Sequence, residues 1–490
     1  GRWALEPELG PKLVGQRFAP AYEACAGATD QHLGGAAPAV VVAGHAGAIG
    51  PGRAHRQPVA GLHGQQALAA EGAAVGGHGC RIQAVVIFPE AALVRGLTEG
   101  GLGVVRIGMG PSPMLYFATH HLDVDGGIQV TGSHNPAAYN GFKLLLNGRS
   151  VFGEEIQALG RRCAAGEWSK GSGSVEDADV RAAYVNRLVE DFTGTGFRIG
   201  WDAGNGAAGP ILEKLVDRLP GQHFTIHTEV DGSFPNHHPD PTVEANLADL
   251  KGLVADHNLD FGIAFDGDGD RIGAVDGKGR VVWGDQLLMI LAGPVLRELP
   301  GATIIADVKA SQTLFDRIAK LGGKPLMWKT GHSLIKSKMK ETGAPLAGEM
   351  SGHIFFKERW YGFDDGTYAG ARLLEILSRH DDPSAVLDAL PTSFSTPELN
   401  VKCAEGEPHA LVAQLVASAK FAPPAQVTTI DGVRVDWPDG FGLVRASNTT
   451  PVLVLRFEGQ TPEALHRIEG EMLALLRSVK PDAQIAAAAH

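Results

Sequence analysis

The sequence predicts an α/β protein of several domains, and three observations carry that prediction. Apolar strands alternate with amphipathic helices from about residue 92 onward, the pattern of mixed or parallel sheets covered by helices. The chain, at 490 residues, is too long for one core, and roughly 100–200 residues per domain gives three or four units. Its 65 glycines imply many tight turns and close backbone approaches.

Taken in order, "ALVRGLTEGG" reads as a short amphipathic helix, and "GVVRIG" and "GGIQVTG" as strands. "FRIGWDAGNGAAGPILEKLVDRL" is strand, glycine turn and helix, and "HFTIHTEVDG" is the next strand. "NLADLKGLVADHNLDFGIAFDGDGDRIGAVDGKGRVV" gives helix, strand, acidic turn and hairpin. A helix at 285–298, the strand "ATIIADV" and a helix at 311–321 follow. The last hundred residues hold "VRVDW", "GLVRAS" and "VLVLRFEG", strands of a smaller α+β unit. Residues 24 to about 90, rich in Gly, Ala, Pro and His, show no sustained helical or strand period.

A net charge of -12 argues against nucleic acid as a partner, because phosphate backbones want a basic surface. It leaves room for small phosphorylated ligands, which need only a local positive cleft. The four cysteines lack CxxC spacing, which fits a reducing cytoplasm better than a zinc site or a disulfide framework. No apolar run approaches the ~18 residues of a membrane span.

The strongest chemical signal is "FDGDGDR". Asp266, Asp268 and Asp270 alternate with glycine directly after a strand, and three carboxylates at that spacing repel unless a cation compensates them. Oxygen-only ligands suit Mg²⁺ or Ca²⁺. An EF-hand is excluded, since Arg271 and Gly277 stand where its Gly and Glu belong. Arg271 instead sets a fixed positive charge beside the ion. "RASNTTP" offers Arg445, Ser447, Asn448 and Thr449 in one turn, a grip for a phosphate, although such clusters before proline are often plain turns. "GEMSGH" places Glu349, Ser351 and His353 on a loop, where they suit paired sugar hydroxyls or merely cap a bend. Among the basic residues from Lys309 to Lys340, Lys309 at a strand end and His332 in a turn are best placed for a cleft. "GNGAAG" fits the dinucleotide-binding GxGxxG after a strand, with Glu229 twenty positions on, but the pattern is short and no hydride-transfer site accompanies it. "TGSHN" presents Ser133 in a turn after a strand. A serine that carries a phosphoryl group splits one hard transfer into two easier ones.

These pieces together resemble the α-D-phosphohexomutase superfamily, in its bacterial phosphomannomutase/phosphoglucomutase branch. "TGSHNPAAYNGFK", "DGDGDR", "WKTGHSLIK", "GEMSGH", "ERWYGFDDG" and "RASNTTP" stand in the family's order between about residues 92 and 480. The resemblance implies four domains around a central cleft: three related mixed-sheet α/β domains and a smaller C-terminal α+β domain. Expected bounds are 1–178 for the phosphoserine loop, 179–280 for the metal-binding loop, 281–392 for sugar recognition and 393–490 for the phosphate clamp. It further implies that phosphorylated Ser133 completes a Mg²⁺ shell with Asp266, Asp268 and Asp270. Lys143 and His353 would move protons and Arg271 would stabilise transferred charge. Glu349 and Ser351 would hold sugar hydroxyls, Lys309 and His332 would line the ligand, and Arg445, Ser447, Asn448 and Thr449 would clamp the idle phosphate. The implied reaction interconverts hexose 1-phosphate and hexose 6-phosphate, of mannose or glucose, through a bound hexose 1,6-bisphosphate. A cytoplasmic monomer is expected, with small hexose phosphates as its partners and neither nucleic acid nor membrane. The family's opening Tyr-Asp-Ile-Arg-Gly segment has no counterpart, nor does its strand ending in Gly-x-Asp-x-Arg. That gap motivates the alternative of a non-catalytic phosphosugar- or dinucleotide-binding protein.

Overall fold

A computed structural model describes residues 39–44, 90–135, 140–448 and 450–487. The first sheet contains β1 (Ala39–Gly44), β2 (Gly103–Met109), β3 (Gly126–Thr131) and β4 (Gly141–Leu146). A helix over residues 90–99 (α1) and another at Ser112–His121 (α2) belong to the same unit. β1 pairs in parallel with both β2 and β3, and β3 turns back into antiparallel β4. Residues 24 to about 90, which show no sustained period in the sequence, thus contain a strand. "AVVVAG" forms the centre of the sheet; an apolar run this short shows no period of its own, and its two parallel neighbours define it as a strand. The rest of that atypical stretch lies outside the described residues.

The second unit holds β5 (Phe197–Asp202), α3 (Gly209–Val216), β6 (Gly221–Ile226), α4 (Ala248–His257), β7 (Phe261–Phe265) and β8 (Ile272–Asp276). The third holds α5 (Gly284–Glu298), β9 (Thr303–Asp307), α6 (Gln312–Lys320), β10 (Lys324–Trp328), α7 (His332–Thr342), β11 (Leu346–Gly348), β12 (Ile354–Phe356), α8 (Gly366–Leu377) and α9 (Pro383–Asp388). Both repeat the first pattern. β5 lies parallel to β6 and β7, and β7 turns into antiparallel β8. β9 lies parallel to β10 and β11, and β11 turns into β12. The last unit is an antiparallel sheet that includes β13 (Leu399–Lys402), β14 (Val433–Trp437), β15 (Gly440–Ala446) and β16 (Val452–Gly459), covered by α10 (Pro462–Val479).

This repetition positions the chemistry. In each α/β unit the returning hairpin carries one candidate loop: Ser133 between β3 and β4, the acidic trio between β7 and β8, and "GEMSGH" between β11 and β12. One apolar core then joins the three units, running from Ile107 and Leu115 through Trp201 to Leu288 and Leu373. Burial at about 25 cal/mol per Å² of apolar surface makes that shared core the main restraint on how the hairpins face one another. The C-terminal sheet has a core of its own. It is tied to the third unit by Arg434, whose guanidinium donates to the carbonyls of Val308 and Ala310 at 2.6 and 2.7 Å and lies 3.7 Å from the Phe441 ring centre. Among the described residues no helix is long and apolar enough to cross a membrane.

Helix α8 is buried along its length and starts at an unusual cap. Asp365 accepts from the Tyr368 amide at 2.9 Å, the Thr367 hydroxyl at 2.7 Å and the Tyr184 hydroxyl at 2.7 Å. Burial outweighs these bonds and pushes its carboxyl up to about 7. In the unfolded chain an aspartate titrates near ~3.9, so the folded protein binds this proton more tightly. Stability is thus expected to fall as pH rises from about 4 to 7, by roughly 2–4 kcal/mol. Asp365→Asn keeps the cap and stays neutral, so melting temperatures measured from pH 5 to 8 should flatten in that variant.

Candidate active site

Strand β3 ends in Thr131, and the chain turns sharply at Ser133, whose φ of 52° is rare for a residue with a side chain. The Thr131 hydroxyl holds the Ser133 amide at 2.8 Å, which stabilises that turn. The Ser133 hydroxyl faces the second unit and lies 2.9 Å from Asp268 Oδ1 and 3.3 Å from Asp266 Oδ2. The contact is close at backbone level too: a Cβ on Gly267 would stand 2.5 Å from the Ser133 carbonyl oxygen. Gly269, at φ 72°, completes the loop.

All three aspartates are fully buried. Burial, then the charges of Asp270 and Asp268, push the Asp266 carboxyl well above the usual carboxylate range. Lys143 enters from β4 and bonds Asp268 Oδ2 at 2.6 Å and Asp270 Oδ2 at 2.5 Å. Burial alone would weaken its hold on a proton, but the two carboxylates outweigh burial and raise it well above an ordinary lysine. Asp270 Oδ1 is buried without a hydrogen-bond donor, and ligand atoms of all three acids lie within 4.8 Å of one another. Three convergent carboxylates, one with an orphaned oxygen, fit a hard divalent cation.

Arg271 closes the loop. Its amide donates to Asp266 at 3.1 Å, and its Nε lies 3.1 Å from His353 Nε2. His353, on the β11–β12 hairpin, is thereby brought to the acidic trio, with Nδ1 3.5 Å from Asp270 and 3.1 Å from Asp364. Burial disfavours its cation, yet Asp270 and Asp364 prevail and raise its affinity for the proton. His332 stacks on it with ring centres 5.5 Å apart, but burial and then the Lys336 charge lower it to about 4. The two stacked rings are thus pushed in opposite directions, His353 toward holding a proton and His332 toward releasing one.

The sugar and phosphate loops meet through the turn at Thr330 and Gly331. Glu349 accepts from the Gly331 amide at 2.6 Å and from the Ser351 hydroxyl at 3.1 Å. Asn448 donates to the Thr330 carbonyl at 3.0 Å, and Asp431 accepts from both the Thr330 amide and Arg445 Nε at 3.0 Å. Ser447 bonds Thr450 at 3.0 Å, and Thr449 lies outside the described residues. Lys309 pairs with Glu398 at 3.1 Å, and its charge acts on Glu349.

Sequence reasoning missed the supporting residues. Ser112 donates to Asp268 at 2.5 Å. His134 Nδ1 lies 3.1 Å from the Ser133 hydroxyl, and the neighbouring Arg271 charge, then burial, lower it to about 3, so the ring is neutral at physiological pH. Asp240 stands 3.9 Å from Arg271. Asp364, fully buried, faces Lys336 at 2.8 Å and both histidines. The quoted segment "ERWYGFDDG" contained Asp364, but nothing local marked its role.

The glycine motif "GNGAAG" is explained by packing: a Cβ on Gly209 would stand 1.9 Å from the Thr228 carbonyl oxygen. That proximity requires glycine there without any nucleotide.

Four family profiles match in succession between residues 88 and 475: phosphoglucomutase/phosphomannomutase alpha/beta/alpha domain I at residues 88–170, domain II at 182–279, domain III at 283–394 and the C-terminal domain at 398–475. The chain belongs to the phosphoglucomutase/phosphomannomutase family. Among its relatives, the phosphomannomutase/phosphoglucomutase of Pseudomonas aeruginosa is 49% identical over 389 residues, 79% of this chain and 84% of that protein. The phosphoglucomutase of Neisseria gonorrhoeae is 49% identical over 388 residues, 78% of this chain and 84% of that one. A crystal structure of a phosphoglucomutase/phosphomannomutase family protein from Burkholderia thailandensis matches with a TM-score of 0.83 at 43% identity, covering 98% of this chain and 96% of that one. As a member of this phosphoglucomutase/phosphomannomutase family, the chain has the expected four-domain architecture.

Proposed function

We propose that the protein reversibly interconverts hexose 1-phosphate and hexose 6-phosphate, of mannose, glucose or both, through phosphorylated Ser133 and a bound hexose 1,6-bisphosphate. The observation that carries this reading is the Ser133 hydroxyl, on the first unit, within 2.9 and 3.3 Å of two carboxylates from the second. A divalent cation, Mg²⁺ in this reading, would be held by Asp266, Asp268, Asp270 and a phosphate oxygen on Ser133, and would neutralise charge on the moving group.

The chain's own residues do the rest. Transfer breaks the bond between phosphorus and the seryl oxygen, forms one to a sugar hydroxyl and releases that hydroxyl's proton. His134, neutral and 3.1 Å from the seryl oxygen, is placed to exchange the serine proton. His353 and Lys143 exchange the sugar proton in alternate half-reactions, and Arg271 supplies fixed positive charge. Glu349 and Ser351 accept and share sugar hydroxyls, with His332 and Lys309 lining the ligand. Arg445, Ser447, Asn448 and Thr449 grip the phosphate at rest. The same reading takes domain bounds near 178, 280 and 392, with the protein acting as a cytoplasmic monomer on small hexose phosphates.

The decisive experiment is a coupled mutase assay with mannose 1-phosphate and glucose 1-phosphate, Mg²⁺ and a trace of the bisphosphate. Mg²⁺-dependent conversion of at least one sugar is expected. Tight hexose phosphate binding by calorimetry without turnover would replace this reading with that of a non-catalytic binder.

A further inference from the structure

We propose that a cavity beside helix α5, separate from the candidate active site, binds a small amphipathic anion, its acidic head on Arg297 and Arg317 and its apolar body along the helix wall. The cavity measures about 630 Å³ and is lined by residues that include Gly293 and Pro294 of α5, Arg317 of α6, Val386 of α9 and Leu390 just beyond it. Sites for small ligands commonly run from about 300 to 1,000 Å³ with apolar walls and a few convergent polar groups.

Two observations point to an anion. Many arginines elsewhere, such as Arg271, Arg359 and Arg445, hold carboxylates, although Arg198 and Arg218 bond neutral groups instead. Among the described residues Arg297 and Arg317 have no such partner, in a chain with a net charge of -12. Arg317 Nε is moreover buried with no hydrogen-bond acceptor, a state that burial penalises unless a ligand or water satisfies it.

The helix wall supplies the apolar half. Gly293 and Pro294 stand together inside α5, although they are the two poorest helix formers. A Cβ on Gly293 would meet nothing within 4 Å, so the bare glycine keeps the cavity open. Pro294 removes the donor that the Ile290 carbonyl would use, and Ile290 also lines the space. A helix that carries both residues at one point beside a cavity, with open space over Gly293, leaves room for an occupant. The inference does not depend on the mutase reading.

The test is calorimetry on the full chain with decanoate, decyl phosphate and decanol, each below its micelle concentration. We expect one-to-one binding of at least one anion, at least tenfold tighter than decanol, and the two anions distinguish a carboxylate from a phosphate head. Arg297→Gln with Arg317→Gln should weaken the anion at least tenfold and leave decanol unchanged. Gly293→Leu should abolish binding while melting temperature and sugar-phosphate turnover stay at their original values. Equal binding of anion and alcohol, or no binding at all, overturns the proposal. So does a fall in melting temperature above about 5 °C in Gly293→Leu, which would mean that the chain's own residues already fill the space.

Discussion

Ser133→Ala is expected to lower turnover at least about a hundredfold, because it removes the oxygen that would carry the phosphoryl group. The fold should survive. The Ser133 amide stays bonded to the Thr131 hydroxyl, and the serine side chain is only partly buried. The cost at φ 52° differs little between serine and alanine, so stability should shift by less than about 1 kcal/mol. Two measurements check the assignment together. Intact mass should lose any species heavier by the ~80 Da of a phosphoryl group, and the coupled assay should show the loss of rate. Near-normal turnover with the bisphosphate supplied would remove Ser133 from the mechanism.

Asp268→Asn is expected to cost still more, about a thousandfold or greater, and to abolish the response to Mg²⁺. Asp268 Oδ2 accepts from Ser112 at 2.5 Å and from Lys143 at 2.6 Å, while Oδ1 accepts from Ser133 at 2.9 Å. An asparagine has one acceptor and one donor end. With its NH₂ on the Oδ2 side it meets the Lys143 ammonium, donor against donor, and with its NH₂ on the Oδ1 side it reverses the bond to Ser133; either way the charge is gone. Buried charge-assisted contacts broken on one side typically cost about 3–5 kcal/mol. Turnover followed against Mg²⁺ concentration would expose the loss. A variant that kept a saturable Mg²⁺ response near the original concentration would show that Asp268 is not a ligand.

Much of this site was legible because its chemistry sits in short runs. "FDGDGDR" brings three acids and an arginine within six residues, and neighbours that close must share a surface. The alternation of strand and helix was legible for the same local reason. What escaped was set by partners far away in sequence. Ser112 is 156 residues from Asp268, so nothing beside "GPSP" distinguishes it from an ordinary helix start. Asp240 and Asp364 are likewise defined by cations on other elements. The three-fold recurrence of one strand pattern was expected from the family resemblance alone, since the repeated feature is a hydrogen-bond ladder and not a string of residues. Lys143 was read as a group that moves protons, and its two short contacts show what it must first release.

That arrangement has a consequence for metal dependence. Lys143 already bonds two of the three carboxylates, so the affinity for an ion there would be the difference between two attractions and not the size of one. Chelation should leave a quiescent but intact protein, its acids still countered from within. An ion taken up by the acid loop would have to displace that amine, so occupancy of the loop and release of Lys143 would be a single event.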